Sequence, residues 1–199
     1  MTQYFDEQPD VNSDTRVIDV ALSDVAFTMV TDRGVFSHGH LDTGTSLLLR
    51  EAPAPSPDGH VLDLGCGTGA LALALALRSP ETTVWAIDVN ERARRLTESN
   101  AHRNGTTNVR AVAPDAVPDD VRFSTIWSNP PIRIGKQALH ALLQRWLPRL
   151  TDNGHAVLVV QKHLGADSLQ RWLTTEGFVC ERIASKAGFR LLKVMSGAG

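Results

Sequence analysis

The sequence predicts an α/β chain built on an open, mostly parallel, doubly wound sheet of seven strands with helices on both faces. From residue 61 onward, short apolar strands alternate with helical segments, the pattern of strands covered on both sides. Gly, Pro and Asn mark the junctions between them. The last two strands, Phe178 to Arg182 and Phe189 to Val194, are separated by only six residues. That gap is too short for a helical crossover, so an antiparallel strand should close the sheet.

A small β-hairpin comes first. Val17 to Leu22 and Val25 to Val30 place apolar residues at alternate positions around a Ser23-Asp24 turn. Thr43 to Arg50 reads as a short helix, and residues 52–59, rich in Pro, as a connector. The expected division is therefore residues 1–55, a hairpin and covering segment, and residues 56–199, the main domain. Val61 to Leu64 is a short buried strand. Ala70 to Arg78 alternates Leu and Ala, which has strand period, but both are strong helix formers and no β-branched residue interrupts them, so helix is predicted. Val84 to Asp88 is the next strand. Asn90 should cap a helix from Glu91, and Asn104-Gly105 should end it. Val109 to Ala113 and Phe123 to Asn129 are strands, followed by a helix over 138–150 that Pro148 should kink or end. Ala156 to Val160 is a fully buried strand. Asp167 is expected to cap a helix that Gly177 stops.

Composition narrows the function. The chain has 199 residues, 42% of them apolar, enough for a full core. The acidic N-terminus shows no secretory signal, and no run reaches the roughly 20 apolar residues of a membrane span. Cys66 and Cys180 make neither a disulfide framework nor a zinc motif, which points to the cytoplasm. His38 and His40 have ligand-like spacing, but no clustered third ligand accompanies them, so they read as loop residues and no metal is expected. The net charge of −2 lacks the basic surplus of proteins that grip bare nucleic acid through many phosphates. Trp85, Trp146 and Trp172 read as packing, and Trp127 should face the core.

Chemistry concentrates at two strand ends. The first strand of the main sheet runs into Asp63-Leu64-Gly65-Cys66-Gly67-Thr68-Gly69. Glycines at alternate places let the backbone approach a ligand closely. The second strand ends in Asp88, 19 residues after Gly69, where a carboxylate can accept both ribose hydroxyls of an adenosine-containing cofactor. A dinucleotide site wants its third glycine one place later, and Asp63 would repel a pyrophosphate while suiting the cations of S-adenosyl-L-methionine. The glycine turn alone also fits a nicotinamide-dependent oxidoreductase, or a plain strand–helix turn. The second element, Ser128-Asn129-Pro130-Pro131-Ile132, follows the fourth strand. Its prolines stiffen the chain. The Asn129 side-chain oxygen and the Pro130 carbonyl can then hold a conjugated amine by its two N–H groups and aim the nitrogen lone pair at a methyl group.

With both elements in this order, the chain resembles the methyltransferase small-domain family, the RsmC-like ribosomal-RNA guanine-N2 methyltransferases, from about Val25 to Val194. The resemblance includes Val35-Phe36-Ser37, Leu41-Asp42 with Gly44-Thr45, Asp63 to Gly69, Asp88 with Asn90, Asn100, Asn104-Gly105, Asn129-Pro130-Pro131 and Leu164-Gly165. It implies a Rossmann-like fold and S-adenosyl-L-methionine as cofactor. It also implies methylation of ribosomal RNA, free or in a ribosomal subunit, at the N2 amine of a guanine. Phe36, Asp42 and Thr45 become candidate cofactor-lining residues. Asp63, Gly65, Cys66, Gly67, Gly69, Asp88, Val89, Asp115, Ala116 and Asn129 complete the expected cofactor site, with Asp115 toward the adenine edge. Asn129, Pro130, Pro131 and Ile132 form the expected catalytic turn. The chain departs from many relatives in carrying Ile132 where an aromatic would stack on the base, and in having only about 60 residues ahead of the glycine turn. Asn-Pro-Pro also serves methylation of a protein glutamine or an adenine N6. Arg133 and Lys136 are placed to meet a phosphate or to be solvated surface charge. The oligomeric state is not legible.

Overall fold

A hairpin of two antiparallel strands, β1 (Thr15–Ala21) and β2 (Ala26–Asp32), precedes a separate main sheet. A computed structural model describes residues 12–197, apart from Phe36, Ile132 and Arg133. The expected roles of those three residues lie outside the described residues. Helix α1 (Thr43–Glu51) leads to β3 (His60–Leu64), α2 (Ala70–Arg78), β4 (Thr83–Ile87), α3 (Glu91–Arg103) and β5 (Val109–Val112). The second half runs through β6 (Phe123–Ser128), α4 (Lys136–Trp146), β7 (Leu150–Gln161), α5 (Ala166–Thr175), β8 (Val179–Lys186) and β9 (Phe189–Met195).

The main sheet has seven strands in the order β5-β4-β3-β6-β7-β9-β8, and β9 runs antiparallel to both of its neighbours. The doubly wound sheet with an antiparallel last strand is as the sequence implies. Strand order reverses between β3 and β6, which lie side by side and parallel. The loops leaving these two strands carry the two sequence elements of interest, at the switch point where open α/β sheets bind ligands.

One core lies on each face of the sheet. Residues of β2, α1 and α2 pack with Val61, Trp127 and Val159 on one side, while α4 and α5 pack with Leu62, Phe123 and Ile126 on the other. In α2 every residue from Ala70 to Ala76 is buried, the leucines contributing about 1.5–3 kcal/mol each against exposure. A helix buried all round loses the polar stripe that would mark its period, which explains why its alternation imitates a strand.

The hairpin is docked by asparagines. Asn100 Nδ2 donates to the Val30 carbonyl (2.8 Å), and the Val30 N–H donates to Asn100 Oδ1 (2.8 Å). Asn104 makes the same two-point contact with Thr28, at 3.1 and 2.8 Å. Residues four apart on a helix face align with alternate residues of a strand, so two amides stand in for a neighbouring strand and satisfy the β2 edge. Asn90 caps α3 by accepting from Arg92 and Ala93, as expected, and also donates to the Gly34 carbonyl.

Three local expectations need correction. Asp167 does not cap α5. Gly165 takes that position in a left-handed conformation (φ 100°), and Asp167 sits in the first turn, paired with Arg190 of β9. Strand β7 begins at Leu150, six residues before its apolar run, because Thr151, Asp152 and Asn153 extend the strand with polar residues. The β8–β9 connection is only Ala187-Gly188, both with positive φ, the twist that a tight hairpin needs.

Candidate active site

Each strand end is shaped by local constraints. Gly65 and Cys66 both donate their N–H to the Ile87 carbonyl at 2.9 Å, which turns the chain out of β3. Gly65 has φ 81°, and a Cβ there would meet nothing within 4 Å, so the turn presents bare backbone to open space. Gly69 has φ 88°, and a Cβ there would lie 2.9–3.1 Å from Thr97 of α3. The first glycine leaves room for a ligand and the third lets two helices meet. Cys66 is buried and accepts from Thr97 Oγ1 at 3.4 Å. Burial holds its thiol well above the usual range, so it packs rather than reacts.

Two carboxylates sit behind this turn. Asp63 is fully buried, and its Oδ2 accepts from Ala72 N at 2.9 Å while its Oδ1 has no partner. Burial, reinforced by the charge of Asp88, pushes its carboxyl up to about 8. Asp88 accepts from Gly67 N (3.0 Å) through one oxygen and from Asn90 N (2.9 Å) through the other. Its pKa is also raised, chiefly by burial.

At the end of β6, Ser128 donates to the Leu64 carbonyl at 2.7 Å, binding the two strand ends together. Asn129 follows. Its Nδ2 donates to Asp42 Oδ2 at 2.8 Å and to Thr45 Oγ1 at 3.1 Å. Both amide hydrogens are thus used by α1, and the side-chain oxygen is left to accept. Pro130 is buried and Pro131 half-buried.

Asp42, Thr45, Gly65, Cys66, Gly67 and Asn129 line one narrow cleft. Asp63, Gly69 and Asp88 do not line it: Asp88 holds the Gly67 N–H of the turn, Asp63 holds the Ala72 N–H of α2, and Gly69 is the N-cap of that helix. Val89 is 48% exposed, and Asp115 and Ala116 lie in an exposed single turn after β5, where Asp115 pairs with Arg145 at 2.7 Å. Ile18 and Met29, cross-strand partners in the hairpin, form a wall of the same cleft that the sequence did not disclose. Their signal was present, since the pairing puts both on one face of the hairpin. Ser37, His40 and Leu41 join them. A larger, open cleft of about 740 Å³ lies at the opposite edge, among the amino ends of β3, β6 and β7. It contains none of the expected residues, so the narrow cleft is the candidate site despite its size. Trp127 faces the core, as expected. Among the described residues no group of His, Cys, Asp or Glu is disposed to hold a metal, and no helix is long and apolar enough to cross a membrane.

Residues 26–193 match the methyltransferase small domain. The chain belongs to that family. It is 36% identical over 193 residues to the uncharacterized protein YbxB of Bacillus subtilis (strain 168), covering 96% of each chain. It is 34% identical over 190 residues to the ribosomal RNA small subunit methyltransferase C of Pseudomonas aeruginosa (strain LESB58), covering 92% of this chain and 55% of that one. Among solved structures, a T. thermophilus 16S rRNA N2 methyltransferase (RsmC) in complex with AdoMet and guanosine superposes with a TM-score of 0.78 at 26% identity, over 94% of this chain and 52% of that one. This methyltransferase small-domain chain thus spans about half the length of the RsmC proteins it matches and nearly all of YbxB. Its cofactor is S-adenosylmethionine. The open space over Gly65 and the unpartnered oxygen of Asp63 fit such a cationic group.

Proposed function

We propose that the chain is a cytoplasmic N-methyltransferase whose acceptor is the exocyclic N2 amine of a guanine in ribosomal RNA. The observation that carries this reading is the half-satisfied amide of Asn129, whose hydrogens are held by Asp42 and Thr45 while its oxygen has no partner among the described residues, in a residue that lines one cleft with Gly65 and Gly67. A free, rigid acceptor in a cofactor cleft suits an amine that must be stripped of conjugation before it can attack. The guanine is supported by two of the relatives named above, the Pseudomonas aeruginosa and T. thermophilus RsmC proteins, whose names give small-subunit ribosomal RNA as substrate, the second at N2.

S-adenosylmethionine, when bound, supplies an electrophilic methyl group on a sulfonium. The residues of this chain do the rest. Gly65 and Gly67 give backbone access, and Asp88 is placed to accept the ribose hydroxyls. Asp63 offers a carboxylate to the ammonium. Val89, Asp115 and Ala116 border the adenine side. Asn129 Oδ1 and the Pro130 carbonyl accept the two N–H groups of the target amine, and Pro131 stiffens the turn. In this reading residues 1–55 cover the cofactor and residues 56–199 form the catalytic domain.

Modified nucleosides in ribosomal RNA from cells with and without this protein test the proposal. Loss of one N2-methylguanosine is expected. Intact N2-methylguanosine with loss of an N6-methyladenosine, or of a methylated protein glutamine, would replace the substrate while keeping the chemistry.

A further inference from the structure

We infer that Asp42 is a positioning residue that fixes which end of the Asn129 amide faces the cleft, a role distinct from lining the cofactor pocket. The inference rests on the proposed role of Asn129 as acceptor of the target amine. An asparagine side chain fits its space almost equally well in either of two flipped states, so its partners decide which is populated. A carboxylate can only accept. Asp42 Oδ2 lies 2.8 Å from Asn129 Nδ2, and the flipped amide would set two oxygens against each other at that distance. Thr45 Oγ1 accepts the other hydrogen at 3.1 Å. With both hydrogens held by α1, the oxygen is the end of the amide left without a partner among the described residues, in a side chain that lines the cleft with Gly65 and Gly67.

The anchor is itself rigid. Asp42 is the N-cap of α1, and the same Oδ2 accepts from Thr45 N at 2.9 Å. Leu47, Leu48 and Leu49 of that helix are buried in the core, and Gly44 lies so close to Phe189 that a Cβ would meet the ring at 2.9 Å. The path runs from core to α1 to Asp42 to Asn129, across 87 residues of sequence. The segment ahead of the main sheet therefore completes the amine-binding turn.

The test separates positioning from capping and from cofactor binding. Ser is as good an N-cap as Asp but is one bond shorter, so Asp42→Ser keeps the helix and loses the reach to Asn129. Asn at this position has an oxygen where Oδ2 stands and can take both bonds. Methyl transfer to ribosomal RNA at saturating S-adenosylmethionine is expected to fall by about 100-fold in kcat for Asp42→Ser, with the cofactor Kd and the RNA KM unchanged. Asp42→Asn should recover most of that loss, and D42S should add nothing in an N129A background. Weaker cofactor binding with normal kcat, or losses that multiply in the double variant, would overturn the inference. A second readout needs no activity: the side-chain amide NMR signals of Asn129, assigned by their loss in Asn129→Ala, should shift in Asp42→Ser. Unmoved signals would refute the positioning role. Shifted signals in a protein that transfers no methyl group would leave it standing and refute the functional reading instead.

Discussion

Asparagines do opposite jobs in two regions of this molecule. At the seam between α3 and the hairpin, Asn100 and Asn104 use both ends of their amides on the backbone of β2. At the carboxyl edge of the sheet, Asn129 has its hydrogens bound and its oxygen open, and Asp63 likewise keeps one oxygen unpartnered. A fully satisfied buried amide is a structural joint. A buried or half-buried polar group with one open valence, beside bare glycine backbone, is waiting for a ligand. Variants in the two regions should therefore move stability and chemistry independently.

The largest effect is expected at Asp63. Its carboxyl is pushed up to about 8 in the folded, ligand-free protein, against an unfolded value of 3.8. The folded state thus binds the extra proton between these limits, so stability is fully present below about pH 4 and falls as pH rises toward 8. A shift of that size corresponds to a loss on the order of 6 kcal/mol. Denaturant midpoints measured across that range should show this slope in the wild type and a clearly shallower one in Asp63→Asn, the remainder belonging to Asp88, and the variant should also bind S-adenosylmethionine more weakly. A slope that persists undiminished in the variant would assign it to another group.

Asn129→Ala comes next. Turnover should fall by about 100- to 1000-fold while the denaturation midpoint and the cofactor Kd stay put, as checked by steady-state kinetics and calorimetry. The mirror image is Asn100→Ala, which strands the N–H and carbonyl of Val30 and the carbonyl of Thr68. It should cost about 2–3 kcal/mol in chemical denaturation, with kcat retained at temperatures where the variant is folded. Loss of kcat in the folded variant would blur the distinction between the regions. The smallest contrast is between two glycines. Gly69→Ala meets Thr97 and should lower stability by about 1–3 kcal/mol. Gly65→Ala fills open space at a similar φ, and should weaken cofactor binding more than it lowers the melting temperature.

Much of the fold was legible because it is written locally. The Asn90 cap, the Gly105 stop and the apolar runs of β3, β4 and β6 place themselves without knowledge of the tertiary structure. Elements whose limits depend on distant partners were not. Asp167 looked like a cap but is drawn to Arg190, and the polar start of β7 carries no period. The same division holds in the site. The glycine turn, Asp88 and Asn129 announce themselves by type and spacing, whereas the contacts of Asn129 with Asp42 and Thr45 span more than 80 residues. The family resemblance singled out Asp42 and Thr45, which do line the cleft, but their bonding to Asn129 was not legible. The hairpin wall of Ile18 and Met29 was hidden because two apolar residues in a strand look like core.

A crystal structure with S-adenosylhomocysteine bound tests the central claim most directly. Its sulfur should lie on the Gly65 side of the cleft, facing the free oxygen of Asn129 with room for one amine nitrogen between them. A sulfur turned away from Asn129, or an Asn129 oxygen rotated onto the protein, would contradict it.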